Sequence, residues 1–206
     1  MNSALKLAIE DFKKRELEDI SKKSGAILND EGNLQIDYLN REYIIDSSTV
    51  EISFSDLKYS DSKRIALHKR EISEREKVLI LHYLNQSKGT PLAGRLIDFR
   101  EIPGGNLYYS VFEARIHRPF LKSFGENPSL LLNASLSLKG ERRDFADLSV
   151  KISLFPRVPI IFGLYKGDEE FPPTCKVLFD STITDYLSTE DIVVACEETV
   201  KKMIDG

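Results

Sequence analysis

The sequence predicts an α+β fold, and three observations carry that reading. Short segments of alternating apolar and polar residues cluster in two places, at 34–54 and 148–165. Stretches with helical periodicity lie before, between and after them. Neither cluster shows the regular strand–helix–strand order of a parallel wind. The expectation is one domain over 1–206: an antiparallel sheet, built from an early meander and a late hairpin, covered by four or five helices.

The opening segment reads as an amphipathic helix, with Leu5, Ile9, Phe12 and Ile20 roughly on one face and Ser24-Gly25 ending it. Three strands follow. Leu34, Ile36 and Tyr38 alternate with Gln35 and Asp37, Tyr43-Ile44-Ile45 comes next, and Val50, Ile52 and Phe54 complete the meander. Ser60 to Arg70 is basic, weakly patterned and expected to be a solvated connection. Ser73 and Glu76 have capping-box spacing before a mostly buried helix that Gly89 and Pro91 stop. A short strand and turn over 95–105 leads to a helix near Asn106, which Pro119 should kink or end. Another short helix follows Pro128. Leu148 to Leu154 alternates as a half-buried strand, and Val158 to Tyr165 reads as a central strand. The last helix starts at Ser188, with Asp191 as its box-like partner and Ile192, Cys196, Val200 and Met203 inward.

Composition narrows the function classes. Hydrophobic residues make up 41% and charged residues 30% of the 206 positions, a balance that supports a packed core. The net charge of −4 speaks against nucleic acid or an anionic membrane surface as the partner. No stretch has the roughly 18 uncharged apolar residues of a membrane span, and the first 20 residues do not read as a signal peptide. The cytoplasm is the expected compartment. Cys175 and Cys196 are too few and too far apart for a zinc or iron–sulfur site and read as reduced, buried thiols.

The stretch "FPRVPIIFGLYKGDEEFPP", Phe155 to Pro173, concentrates the most punctuation. Pro156 and Pro159 belong at a turn or edge because they cannot donate to a ladder. Arg157 then sits at a hairpin tip. The acidic turn lies at the other end, about 20 Å away at strand rise. Asp168, Glu169 and Glu170 are consecutive and lack calcium-loop spacing. They read as a solvated turn, with an arginine–acid network to Glu141–Asp144 as a structural companion.

Three other features could carry chemistry. Pro103-Gly104-Gly105 precedes a helix, where glycine lets helix-terminal amides approach an anion. Tyr108, Phe112 and Arg115 fall at i, i+4 and i+7 of that helix. Arg115 either lays its stem along the aromatics or aims its guanidinium at an anion. His68, His82 and His117 form no HExxH pair, and no GxxxxGK[ST], GxGxxG or GxSxG motif occurs. No catalytic set and no metal set emerges. His82 reads as a hydrogen-bonded structural residue.

The blocks "EKVLILHYLNQSKGTPLAGRLIDFREIPGG", "FGENPSLL" and "FPRVPIIFGLYKGDEEFPPTCKVLFDSTITDYLSTEDIV" resemble those of domain-of-unknown-function family 3786, collinearly over about Glu71 to Val194. The resemblance implies no activity. It implies a setting in anaerobic bacteria and archaea, where some members carry an extra cysteine-rich iron–sulfur segment. This chain has no such cluster, so a redox role would fall to an iron–sulfur or redox protein partner. It also has Tyr165 where many members have tryptophan. The matching blocks place Arg100, Glu101, Gly104, Gly105, Arg157, Asp168, Glu169 and Glu170 in family motifs.

The expected function is a binding or accessory module for a small anionic ligand or cofactor, or for an anaerobic metabolic partner. The glycine turn and Arg100, Arg115 and Arg118 motivate it; no cofactor is specified. One alternative is an enzyme using the Asp168-Glu169-Glu170 carboxylates as metal ligands or as acid and base. Another is a homodimeric interaction protein without a ligand.

Overall fold

The computed structural model describes residues 3–55 and 71–205. The basic stretch from Ser60, and His68 within it, lie outside the described residues. The fold is mixed α and β, as expected.

The N-terminal segment forms two helices, α1 (Ser3–Phe12) and α2 (Leu17–Ser24), not the single expected one. Phe12 and Ile20 are both buried. On a continuous helix, residues eight apart would sit about 80° out of phase. The break at 13–16 lets each reach the core. Gly25 ends α2 in the left-handed region, with its amide on the Ser21 carbonyl.

The meander follows as β1 (Ile27–Leu28), β2 (Leu34–Tyr38), β3 (Arg41–Ile45) and β4 (Ile52–Phe54), paired in chain order. Leu39 and Asn40 join β2 to β3 with φ of 47° and 61°. Two consecutive left-handed residues match the twist of a tight hairpin. Helix α3 (Glu74–Gln86) carries the expected capping box of Ser73 and Glu76.

The second sheet has the order β5-β9-β8-β7-β6, all antiparallel. Its strands are β5 (Leu96–Asp98), β6 (Glu141–Arg143), β7 (Leu148–Phe155), β8 (Val158–Tyr165) and β9 (Thr174–Asp180). The meander and the late hairpin therefore belong to separate sheets, where one was expected. The hairpin has no free edge to offer: β6 covers β7 and β9 covers β8. Contact between the sheets comes at a bulge. Register shifts between Ser153 and Phe155, and the Leu154 carbonyl accepts the Leu39 amide at 3.0 Å.

Between β5 and β6 run a 3-10 turn at Phe99–Glu101, helices α4 (Gly105–Phe112) and α5 (Arg118–Phe124), and helix α6 (Ser129–Leu136). A π-helical turn, Glu113–His117, joins α4 to α5. Pro119 neither ends this rod nor leaves it regular. It sits in the first turn of α5, and the wider turn just before it absorbs the lost amide. The chain closes with a 3-10 turn (Ile183–Asp185) and α7 (Thr189–Asp205). Among the described residues this makes six helical stretches, counting the rod as one, against the four or five expected.

One cluster of buried side chains runs from Leu5 to Met203. At its centre Phe155 stacks on Tyr83, centroids 4.0 Å apart and planes within 6°. The Tyr83 hydroxyl donates to the Ser24 carbonyl at 2.5 Å. Arg157, at the hairpin tip as expected, donates from Nη2 to the Lys22 carbonyl at 3.2 Å. That carbonyl belongs to the last turn of α2, where a cation is electrostatically favoured.

Candidate functional site

A cavity of about 300 Å³ opens between the 3-10 turn, the α4–α5 rod and the start of β9. Local structure sets each wall. Asp98 caps the 3-10 turn: its Oδ1 accepts the Arg100 amide at 2.7 Å, while Glu101 Oε1 accepts the Asp98 amide at 3.0 Å. This fixes the backbone from which Arg100 projects. The Arg100 guanidinium carbon lies 3.7 Å from the Tyr109 ring centroid. The cation–π contact uses the guanidinium charge against one ring and leaves N–H groups that can donate to an anion. Arg100 takes part in none of the ion pairs among the described residues.

Deeper in, Phe99 stacks on Phe112 at 4.1 Å, and His117 meets Phe112 edge-on at 5.3 Å. Close approach of the 3-10 turn to α4 requires Gly105, where a Cβ would come 1.9 Å from the Phe99 carbonyl oxygen. The π-helical turn brings His117 to the cavity wall, and Cys175 Sγ lies 4.0 Å from the His117 carbonyl. Burial lowers the His117 pKa, and Arg100 lowers it further against the opposing pull of Glu113 and Asp98. Burial also pushes the Cys175 thiol up to about 12. At neutral pH the imidazole is uncharged and the thiol is protonated. The pair is therefore not an activated cysteine nucleophile, which needs a thiolate beside a cation. The cavity wall is mixed, about as polar as it is apolar, and its charged lining residues are Arg100, Lys176 and Asp98.

Of the residues singled out in the sequence, Arg100 lines this cavity and Glu101 holds it in place. Gly104 caps α4 at φ 76°. The glycine turn does not present a row of free amides. Gly105 donates to the Ile102 carbonyl, and both Leu107 and Tyr108 donate to Gly104. Arg115 lies 3.7 Å from Glu197, and Arg118 3.8 Å from Glu113; neither lines the cavity. Within α4 Phe112 is buried while Tyr108 donates to Glu190 at 3.0 Å, and Arg115 falls in the π-helical turn that follows.

The acidic turn lines a different concavity, with no lining residue in common. Asp168 Oδ1 accepts the amides of Glu170 and Phe171 at 2.9 and 2.8 Å, which hold its carboxyl below the usual range. Asp168 is thus a turn-forming residue, and Glu169 and Glu170 are exposed. Arg143 pairs with Glu141 at 2.6 Å, and no ion pair among the described residues ties it to the acidic turn. Among the described residues no group of three or more His, Cys, Asp or Glu side chains is placed to hold a metal ion.

His82 Nδ1 lies 2.8 Å from Asp191 Oδ1, and the Ser188 hydroxyl donates to Asp191 Oδ2 at 2.6 Å. Serine and histidine each meet the carboxylate and not one another. The arrangement caps α7 and ties it to α3; it is not a proton relay to a nucleophile.

A family model described as a domain of unknown function (DUF3786) matches residues 16–202. The chain belongs to the DUF3786 family. The DUF3786 match reaches back to residue 16, well before the blocks beginning near Glu71, so α2 and the meander are part of the family region. Every residue lining the Arg100 cavity falls within it. Neither the curated proteins nor the solved structures contain a match. Among the described residues of this DUF3786 protein no helix is long and apolar enough to cross a membrane.

The cavity residues that the sequence left unnoticed are Asp98, Phe99, Tyr109, Lys176 and Val177, and Cys175 and His117 gave no sign of their place. The Asp98–Glu101 box was a readable signal, since it has the spacing of the two boxes that were recognised.

Proposed function

We propose that this protein is a cytoplasmic binding module for a small anionic ligand, taken up in the Arg100 cavity. The observation that carries the reading is the Arg100 guanidinium set over the Tyr109 ring, outside every ion pair among the described residues. A stacked arginine keeps its charge and points a ready-made pair of donors at a carboxylate or phosphate. The neutral His117 and Cys175 supply no activated nucleophile, which supports binding over catalysis.

An NMR titration of the isotope-labelled chain tests it, with acetate, benzoate and inorganic phosphate as probes. At least one probe should shift the amides of 98–101 and 175–177 saturably. Arg100→Gln should remove the effect and Arg118→Gln should leave it. No saturable shift with any of the three would overturn the reading, as would full binding by the Arg100→Gln variant.

A further inference from the structure

We infer that the ligand is a small organic monoanion with a flat, unsaturated body, an aromatic or conjugated carboxylate, and not an inorganic phosphate or a nucleotide. This rests on the anion-binding reading above and narrows its chemistry. Three independent features of the cavity point the same way.

The first is size. At about 300 Å³ the cavity is at the small end of the range for organic ligands, roughly 300–1,000 Å³. A nucleotide would leave most of its surface in water. The second is charge. Arg100 and Lys176 line the cavity together with Asp98, so the lining has a surplus of one positive charge. No buried cation or free row of helix amides waits inside for a second negative charge; the amides of Gly105, Leu107 and Tyr108 are already engaged. Phosphate, which is partly dianionic at neutral pH, would exceed that single surplus charge.

The third is shape. Phe99 and Phe112 stack with planes 13° apart, and Tyr109 and His117 meet at 78°. Val177 and Cys175 complete the lining. Phe99 and Phe112 are buried against each other, so the half-buried rings of Tyr109 and His117 are the ones a ligand meets. The angle between them favours a thin body, and ring edges and faces attract another π-system. A carboxylate on such a body reaches the Arg100 fork while the rest lies against the rings.

Three probes of graded chemistry separate the outcomes: benzoate, cyclohexanecarboxylate and inorganic phosphate, titrated into the full chain by NMR or calorimetry at pH 7.5. Benzoate and cyclohexanecarboxylate share charge and nearly share size, and differ in flatness. Benzoate should bind at least fivefold more tightly than cyclohexanecarboxylate and at least tenfold more tightly than phosphate. Tyr109→Leu should weaken benzoate and narrow its lead over cyclohexanecarboxylate, and Arg100→Gln should weaken both carboxylates about equally. Equal affinity for the two carboxylates, or tighter binding of phosphate, would overturn the monoanion and flatness argument while leaving an anion site in place. Failure of all three to bind would overturn the anion-binding reading itself. If Tyr109→Leu does not fold, Phe99→Leu serves the same comparison.

Discussion

Arg157 Nη2 donates to the Lys22 carbonyl at 3.2 Å and so pins the tip of the β7–β8 hairpin to the last turn of α2. Its Nε is buried without a partner, and the position of Gly25 lets the guanidinium lie close to that turn. The arginine between two prolines, read in the sequence as a hairpin tip, is a clamp between the N-terminal helices and the second sheet. Arg157→Ala should cost about 2 kcal/mol, through lost packing and an orphaned helix carbonyl. Thermal denaturation should show a drop of roughly 4–8 °C. Arg157→Lys should recover little of it, because an ammonium cannot reproduce the planar contact. An unchanged melting temperature would show that the hairpin tip holds without the clamp.

The His82–Asp191 pair makes stability depend on pH in two directions. The His82 pKa is raised, chiefly by its hydrogen bond to Asp191. Its contribution is complete below the ordinary histidine range and is lost as pH rises through the raised value. Burial pushes Asp191 up, but hydrogen bonds from His82 and Ser188 together outweigh it and hold the carboxyl low. That contribution is complete above the ordinary carboxylate range and is lost as pH falls through the lowered value. Urea denaturation of His82→Gln should therefore differ most from the parent between about pH 4.5 and 6.5, and the two should converge toward pH 8. Because His82 is partly exposed, the difference should stay near 1 kcal/mol. A constant offset across the whole range would assign His82 to packing alone.

Two adjacent glycines should respond unequally. At Gly105 a methyl group meets the Phe99 carbonyl oxygen at 1.9 Å, a backbone atom that cannot move without opening the 3-10 turn. Gly105→Ala should cost about 3 kcal/mol or more and disturb the cavity. At Gly104 nothing lies within 4 Å of the added methyl and only the positive φ of 76° is strained. Gly104→Ala should cost about 1 kcal/mol. Equal losses in chemical denaturation would contradict the close approach.

Thiol chemistry should be slow in the native state. Burial pushes Cys175 up to about 12 and raises Cys196, which is fully buried, further still. Labelling with a maleimide at pH 7.5 should be at least about a hundredfold slower than for a free thiol, and both cysteines should react at once in denaturant. Rapid modification of Cys175 in the folded chain would mean that the cavity floor opens readily.

Local signals were legible in the sequence, and long-range ones were not. The boxes at Ser73–Glu76 and Ser188–Asp191 declare themselves because a cap needs two residue types three apart. The hairpin at Arg157 was readable from its prolines. Strand β9 was missed: Val177 to Asp180 is a continuous buried run without alternation, as expected of a strand covered on both faces. The cavity offered only local hints, Arg100 and the Asp98–Glu101 box, and its assembly could not be read. Arg100, Tyr109, His117 and Cys175 come from a 3-10 turn, a helix, a π-helical turn and a strand. Only the β5–β9 pairing, which sets Asp98 opposite Leu178, brings the 3-10 turn beside the start of β9. The π-helical turn also undid the arginine–aromatic face, because a wider turn changes the phase on which i+7 reasoning depends.

The bulge that hands the Leu154 carbonyl to the Leu39 amide makes that one rung a reporter for the seam between the sheets. Rungs within either ladder break only when a sheet comes apart. The Leu39 proton can exchange with solvent when two intact sheets merely part. Comparing its exchange rate with that of Ile161, inside the five-stranded ladder, would separate the motion of the seam from the unravelling of either side.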